Sequence, residues 1–195
     1  RGRYGCTALR HVTIKAFLLA RTECTQRQWR AVMGYNPSRF GQSGPEAPVD
    51  SVSWHEINTF ALKTRLLLPS STQWEVAARA RGVFPKGPAL DDVAWFGGNS
   101  GGRTHGVRRK KPNGFGLFDM IGNVREWCED SAFGVEVGDP PTDGSPWLDS
   151  DSLLRSLRGG GWFSPAYACD VRIRDAFMAC AHNPNVGFRP MYPLR

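Results

Sequence analysis

The sequence predicts an α+β fold, with helices in the first half of the chain and irregular antiparallel strands in the second half. Two observations carry this prediction. Helix-capping patterns lie in the first half, whereas Gly, Pro and Asn separate short apolar segments in the second half. A chain of 195 residues is also long enough to bury a core, and we expect one domain over residues 1–195.

Three capping boxes predict three helices. In each box a Ser or Thr hydroxyl accepts a hydrogen bond from the backbone three residues later, and the Gln or Glu side chain at that position accepts one from the backbone N–H of the Ser or Thr. The first helix should stop at Gly34 and the third at Gly82. Helical spacing of Trp54, Ile57, Phe60 and Ala61 predicts that one face of the second helix packs inward. The boxes are Thr25 with Gln28, Ser53 with Glu56, and Ser70 with Gln73.

The second half of the chain predicts short strands and long loops. Residues 134–152 are rich in Pro, Asp, Gly and Ser, which indicates a surface excursion. The predicted strands are His11–Leu19, Gly116–Met120, Val124–Trp127, Leu154–Gly160, Arg172–Arg174 and Gly187–Tyr192.

Composition argues against several classes of function. The net charge is +7, and a basic run extends from Arg103 to Lys111, but it lacks the interleaved aromatic residues of a single-strand nucleic-acid binder. We therefore expect no nucleic-acid partner. No apolar run reaches membrane-spanning length. The five cysteines show no CxxC pattern and no signal peptide is visible, which favours reduced thiols and a cytoplasmic location.

The segment from Gly116 to Asp130 contains a candidate metal site. Two carboxylates, Asp119 and Glu126, bracket a glycine-containing turn, and the carbonyl groups of Gly122 and Val124 lie between them in the sequence. Calcium prefers such all-oxygen ligand sets. The alternative interpretation is a hairpin turn with solvated acids and a buried tryptophan.

This segment resembles the signature of the formylglycine-generating-enzyme family, also called the sulfatase-modifying-factor family. Further motifs agree with the family in collinear order over roughly residues 11–190, and so many matches in order make the resemblance specific. They are Thr22–Thr25 with Gln28–Trp29, Pro48–Trp54, Arg65–Pro69, Gln73–Arg79, Gly97–Thr104, Lys111–Asn113, Arg158–Trp162 and Gly187–Arg189.

The resemblance implies a C-type-lectin-like fold and a structural calcium on Asp119, Gly122, Val124 and Glu126. Enzymes of the family oxidise a substrate cysteine with oxygen, using copper held by two cysteines. Those positions fall here on Ser164 and Cys169. Because a hydroxyl cannot replace a thiolate as a copper(I) ligand, we expect no copper and no catalytic residue. A contact between Cys128 and Cys169 remains open.

Residues 162–186 depart in content from what the family usually shows. Residues 163–186 contain no Lys, Glu, Gln or Trp, four types that codons ending in a pyrimidine cannot encode. Asn codons randomised at their adenines would yield every residue type present except Met178. The segment is therefore similar to the diversified region of variable proteins from diversity-generating retroelements, which share the lectin-like fold.

These observations predict a non-catalytic protein that binds a protein or other surface ligand through a diversified C-terminal face. Exposed aromatic residues on a rigid scaffold are good contact anchors. The alternative is a divergent copper- and oxygen-dependent oxidase that acts on a cysteine of sulfatase-like substrates. The predicted contact residues are Trp162, Phe163, Ser164, Tyr167, Ala168, Asp170, Asp175, Phe177, Met178, Cys180 and His182.

Overall fold

Three helices precede most of the strands, and the strands form two sheets. The computed structural model describes residues 11–80, 87–132 and 139–194. The order of elements confirms the α+β class. The elements are β1 (Phe17–Leu19), α1 (Gln26–Met33), α2 (Trp54–Thr64), α3 (Ser71–Arg79), β2 (Arg125–Ser131), β3 (Leu154–Arg158), β4 (Asp175–Met178), β5 (Val186–Phe188) and β6 (Met191–Pro193).

All three predicted capping boxes form. The hydroxyls of Thr25, Ser53 and Ser70 each accept a hydrogen bond from the backbone N–H three residues later. The side chain at that later position accepts a bond from the backbone N–H of the capping residue. These bonds satisfy N–H groups that lack a partner inside the helix, which fixes where each helix begins. Helix α1 ends at Gly34, which adopts a left-handed φ of 88° as predicted.

The end of α3 was wrongly predicted. The helix stops at Arg79, and Ala80 caps it with a left-handed φ of 44°, whereas Gly82 lies outside the described residues. The side-chain amide of Asn113 donates to the carbonyls of Ala77 and Ala78, so a distant loop closes the helix. The same helix buries Trp74 and leaves Val76 exposed.

The larger sheet has the strand order β4-β3-β2-β5. Strand β3 pairs antiparallel with both β2 and β4, but β5 runs parallel to β2, which departs from the antiparallel expectation. The smaller sheet pairs β1 with β6. Strand β2, which carries the signature residues, therefore lies between two partners and is buried along most of its length.

Several predicted strands differ from the structure. Gly116–Met120 forms no strand, because Gly116 and Asp119 adopt positive φ angles and Asn113 Oδ1 accepts bonds from the backbone of the turn. Arg172–Arg174 is a turn before β4. The strand predicted over 11–19 shortens to β1, and the last one divides into β5 and β6. Residues 139–152 contain no strand, as expected.

Aromatic residues fill the core between the helices and the larger sheet. The rings of Trp29 and Phe60 stack with centroids 5.6 Å apart, and both meet Phe188 edge-on. A second cluster surrounds Trp74 of α3. The packed core thus supports the loops that follow β3.

The helices that the structure describes are too short or too polar to span a bilayer.

Candidate ligand-binding face

The candidate face consists of residues 162–182, which leave the larger sheet after β3 and return to it through β4. The entry is close-packed. A Cβ on Gly160 would lie 2.9 Å from Sγ of Cys169, and a Cβ on Gly161 would overlap the side-chain amide of Asn185. Only glycine fits such close approaches. The backbone of the face is therefore held tightly at its start.

Solvent reaches most of the predicted contact residues. Phe163 is 73% exposed and Tyr167 is 79% exposed, and Met178, Cys180 and His182 are exposed as well. Isolated apolar residues are common on protein surfaces, but two aromatic rings with such high exposure within five positions are less common. The half-buried contact residues are Trp162, Ala168, Asp170, Asp175 and Phe177, of which Phe177 also packs against the core.

Ser164 was wrongly predicted as a contact residue, because its side chain is buried. Its Oγ accepts a 3.0 Å bond from the backbone of Gly161, and its own carbonyl accepts a 2.8 Å bond from Gly97. Burying a hydroxyl is favourable only when it is bonded in this way. Ser164 is therefore an anchor for the loop and not a surface for a ligand.

Trp162 joins the two ends of the face. Its ring meets Phe40 edge-on at 5.1 Å between centroids and Phe163 at 5.5 Å. Its indole Nε1 donates a 2.9 Å bond to the carbonyl of Pro184. The beginning and the end of the candidate segment are thus held side by side, and Phe40 from the first half of the chain extends the face.

Arg125 of β2 contacts the face at two points. Its guanidinium forms a 2.9 Å ion pair with Asp175 of β4, and a second nitrogen lies 3.5 Å from Oγ of Ser164. Aspartate and serine lie eleven positions apart in the sequence, so one side chain connects two stretches of the loop. Arg125 therefore connects the beginning of the face with β4.

His182 is tied to the helical half of the chain. Its Nε2 lies 2.9 Å from a carboxylate oxygen of Glu56, and the hydroxyl of Tyr35 donates to the other oxygen at 2.9 Å. Burial raises the pKa of Glu56, but bonds from Ser53, the Tyr35 hydroxyl and the nearby His182 outweigh it and lower the pKa overall. Glu56 therefore stays charged and available to His182.

The cysteines near the face are not poised for thiolate chemistry. Cys128 and Cys169 are both buried and both free, so the disulfide left open by the sequence does not form. Burial raises the pKa of Cys169 to about 11, although Arg125 opposes this. A thiol with such a pKa is almost entirely protonated at neutral pH. Cys180 is exposed.

The predicted metal ligands lie together in the interior. Glu126 receives bonds on both carboxylate oxygens, from the guanidinium of Arg189 and from the indole Nε1 of Trp74 at 2.7 Å. The guanidinium of Arg189 thus already pairs with the Glu126 carboxylate that the calcium prediction needs. Calcium would have to share this carboxylate with Arg189 or displace the guanidinium. In the described ranges, no three His, Cys, Asp or Glu side chains form a metal site by themselves.

Asp119 fits a cation better than Glu126 does. Its Oδ2 accepts a 2.9 Å bond from the backbone of Arg108, whereas its buried Oδ1 has no hydrogen-bond partner. Burial raises the pKa of Asp119 to about 6. Gly122 and Val124 donate their N–H groups to Gly159 and to a carboxylate oxygen of Glu23. Calcium binding by this set stays a prediction.

Sequence reasoning missed five residues that shape this region. Glu23 and Arg189 complete the buried ionic cluster, and burial with repulsion from Asp119 and Glu126 raises the pKa of Glu23. The available signal was the single charged residue in each of the motifs Thr22–Thr25 and Gly187–Arg189. Phe40, Glu56 and Arg125 gave none, since their contacts with the face depend on long-range folding.

Together, the fold and this face define a C-type-lectin-like domain that presents an aromatic loop surface on a rigid frame. The chain matches the family described as "Sulfatase-modifying factor enzyme 1-like domain" over residues 2–192. The protein therefore belongs to the formylglycine-generating-enzyme, or sulfatase-modifying-factor, family.

The chain is similar both to enzymes of this family and to a variable protein. The chain is 27% identical to a "Chaperone protein LppX" of Paenibacillus barcinonensis, over 92% of this chain and 81% of that protein. It is 29% identical to a formylglycine-generating enzyme of Streptomyces coelicolor, over 83% of this chain but 57% of the enzyme. The solved structure of Treponema denticola variable protein 1 superposes with a TM-score of 0.85 at 28% identity, over 99% of this chain and 90% of that one.

Proposed function

We propose that this protein is a non-catalytic ligand-binding domain whose segment 162–186 is a diversified recognition face. The observation that carries the proposal is the exposure of Phe163 and Tyr167, at 73% and 79%, on a loop whose backbone is hydrogen-bonded to the frame. Rigid aromatic side chains bury large areas on contact at a low cost in conformational entropy. The likeness to a variable protein supports the same interpretation.

The ligand that suits this face best is a protein surface. Aromatic anchors surrounded by a polar rim are characteristic of protein-binding sites. Here Phe163 and Tyr167 would be the anchors, and the ion pair of Arg125 with Asp175 of β4 would belong to the polar rim. Changes at the exposed positions would alter the ligand without changing the buried bonds that hold the loop.

The family's oxidase activity is the competing function, and the sulfur ligands argue against it. Serine occupies the first of the two thiol positions, and its oxygen is already bonded to Gly161. Copper(I) selects soft sulfur ligands, so Cys169 by itself would form a poor site. The protein should therefore show no copper-dependent oxygen consumption with a cysteine peptide. Turnover that disappears in Cys169→Ala would overturn the proposal.

A binding assay tests the recognition face directly. The wild-type protein and the Phe163→Ala/Tyr167→Ala variant would be applied to an array of surface proteins from the same source organism. Leu62→Ala is the matched control, because Leu62 is 85% exposed on α2 and lies outside the face. We expect ligands that bind the wild type and the control but not the double variant. Ligands retained by the double variant would place recognition elsewhere.

We also propose a structural calcium at the buried acidic site, where the ion would contact the unpartnered Oδ1 of Asp119. The support is the buried, unpartnered carboxylate oxygen and the all-oxygen character of the ligand set. Calcium at this place would neutralise charge in the interior and brace the turn before β2. A chelator should then lower the melting temperature, and an unchanged melting temperature would show that no calcium is bound.

A further inference from the structure

A basic loop, residues 103–111, carries three arginines that no carboxylate of the described residues neutralises. Arg103, Arg108 and Arg109 are exposed, and none forms an ion pair with a carboxylate of the described residues. The two lysines differ. The ammonium of Lys110 lies 3.9 Å above the ring of Trp95, and Lys111 pairs with Asp92 at 2.9 Å.

The backbone of the basic loop is fixed before any partner binds. The N–H of Val107 donates to the carbonyl of Glu46 at 2.9 Å, and the N–H of Arg108 donates to Oδ2 of Asp119 at 2.9 Å. Arg108 adopts a left-handed φ of 64°, which these bonds hold in place. The arginine side chains therefore project from a preorganised base, and binding would cost less ordering entropy.

The charges belong to one short segment. Arg103, Arg108 and Arg109 lie within seven positions of the same loop, and burial, together with the positive charges of Arg103, Lys110 and Arg109, lowers the pKa of His105. Arg108 is linked through Asp119 to the neighbouring turn, where the guanidinium of Arg21 donates to Gly116 at 3.3 Å. The guanidinium of Arg21 therefore lies beside the turn that follows the basic loop.

An exposed aromatic ring stands in the same turn. Phe115 is 54% exposed, and its backbone N–H donates a 3.0 Å bond to the side chain of Asn113. Asn113 is in turn bonded to the end of α3, so the ring is presented by a fixed loop. Phe115 thus adds an exposed apolar group beside the basic loop.

We propose that this basic surface, defined as Arg21, Arg103, Arg108, Arg109 and Phe115, docks the protein on an anionic lipid bilayer. The arginines would contact lipid phosphates, and the phenyl ring would enter the interfacial region. A nucleic acid fits less well. Single strands require several stacking rings along a groove, and duplex readout requires a helix or ribbon that enters a groove, whereas this surface is one turn with one exposed ring.

Vesicle binding tests the proposal with the folded protein. Sedimentation would compare phosphatidylcholine vesicles with vesicles containing about one third phosphatidylglycerol at low salt. Each arginine near a charged membrane contributes about fivefold, so Arg108→Gln/Arg109→Gln should weaken binding to anionic vesicles about thirtyfold. Phe115→Ala should weaken it about threefold or more. Lys63→Gln/Arg65→Gln removes two exposed charges at the end of α2 and should change little.

The outcomes separate the alternatives. Binding that requires the anionic lipid, falls with salt, and is lost in the arginine and Phe115 variants supports the proposal. Equal losses in the α2 control would assign binding to net charge and overturn it. Tighter binding to a mixed-sequence DNA duplex than to the vesicles would also overturn it, because the surface would then serve nucleic acid. Melting curves confirm folding, and Arg103→Gln/Arg109→Gln replaces the first variant if position 108 is needed for folding.

Discussion

Replacing Asp119 with asparagine should stabilise the calcium-free protein at neutral pH. Asp119 is a buried carboxylate with one unpartnered oxygen, and burial raises its pKa from 3.8 to about 6. A raised carboxyl pKa means that the folded state binds the proton more tightly than the unfolded state does. The stability therefore falls as pH rises from about 4 to about 6, and it stays lower above that range.

The size of the effect follows from the shift. Two pKa units correspond to about 3 kcal/mol of the free energy of unfolding at pH 7. Asparagine removes this charge and keeps an oxygen that can accept the bond from Arg108, but its amide donor lacks an evident acceptor, which costs about 1–2 kcal/mol. We expect Asp119→Asn to gain about 1–2 kcal/mol at pH 7 in chelator and to lose this gain near pH 4.

Urea denaturation of both proteins at several pH values, in chelator, measures this difference. Repeating the series with calcium tests the metal, because a bound ion favours the carboxylate and should reverse the order of stability. An Asp119→Asn protein that is less stable than the wild type at pH 7 in chelator, with no pH dependence in the difference, would refute the reasoning.

Three further predictions concern the face. Phe163→Ala/Tyr167→Ala should leave the melting temperature within about 2 °C of the wild type, because exposed side chains add little to stability; a fall of several degrees would show that the rings pack internally. Alkylation followed by mass spectrometry should modify Cys180 and spare Cys169 in the native protein, since the first is exposed and the second is buried with a raised pKa; equal labelling would contradict the described burial. Gly161→Ala should cost about 2 kcal/mol or more in urea denaturation, because its Cβ would overlap a neighbouring amide; an unchanged midpoint would mean that the entry to the face is loose.

Helices were predictable from the sequence because their signals are local. Each capping box lies within four residues, and its two bonds form whatever the rest of the chain does. The end of α3 was not predictable in this way. The side chain of Asn113 closes that helix from more than thirty positions away, so no local pattern could indicate Ala80.

The candidate site shows the same division between local and distant determinants. Composition alone singled out residues 163–186, and Phe163 and Tyr167 of this segment are exposed; that they contact a ligand stays a prediction. The bond between Ser164 and Gly161 is local, but the bond from the N–H of Gly97 to the carbonyl of Ser164 joins positions that meet only after the chain folds. Arg189 could be noticed as a charge in an apolar motif, but its pairing with a carboxylate sixty-three positions away could not.

The DNA beside the gene offers the most direct test of the central claim that segment 162–186 is a diversified face. The account predicts a nearby reverse-transcriptase gene and a near-copy of the codons for this segment, with differences at adenines that fall mainly on exposed positions such as Phe163, Tyr167 and His182. A locus with neither gene nor repeat, or a repeat that varies mainly at buried positions such as Val171, would contradict it.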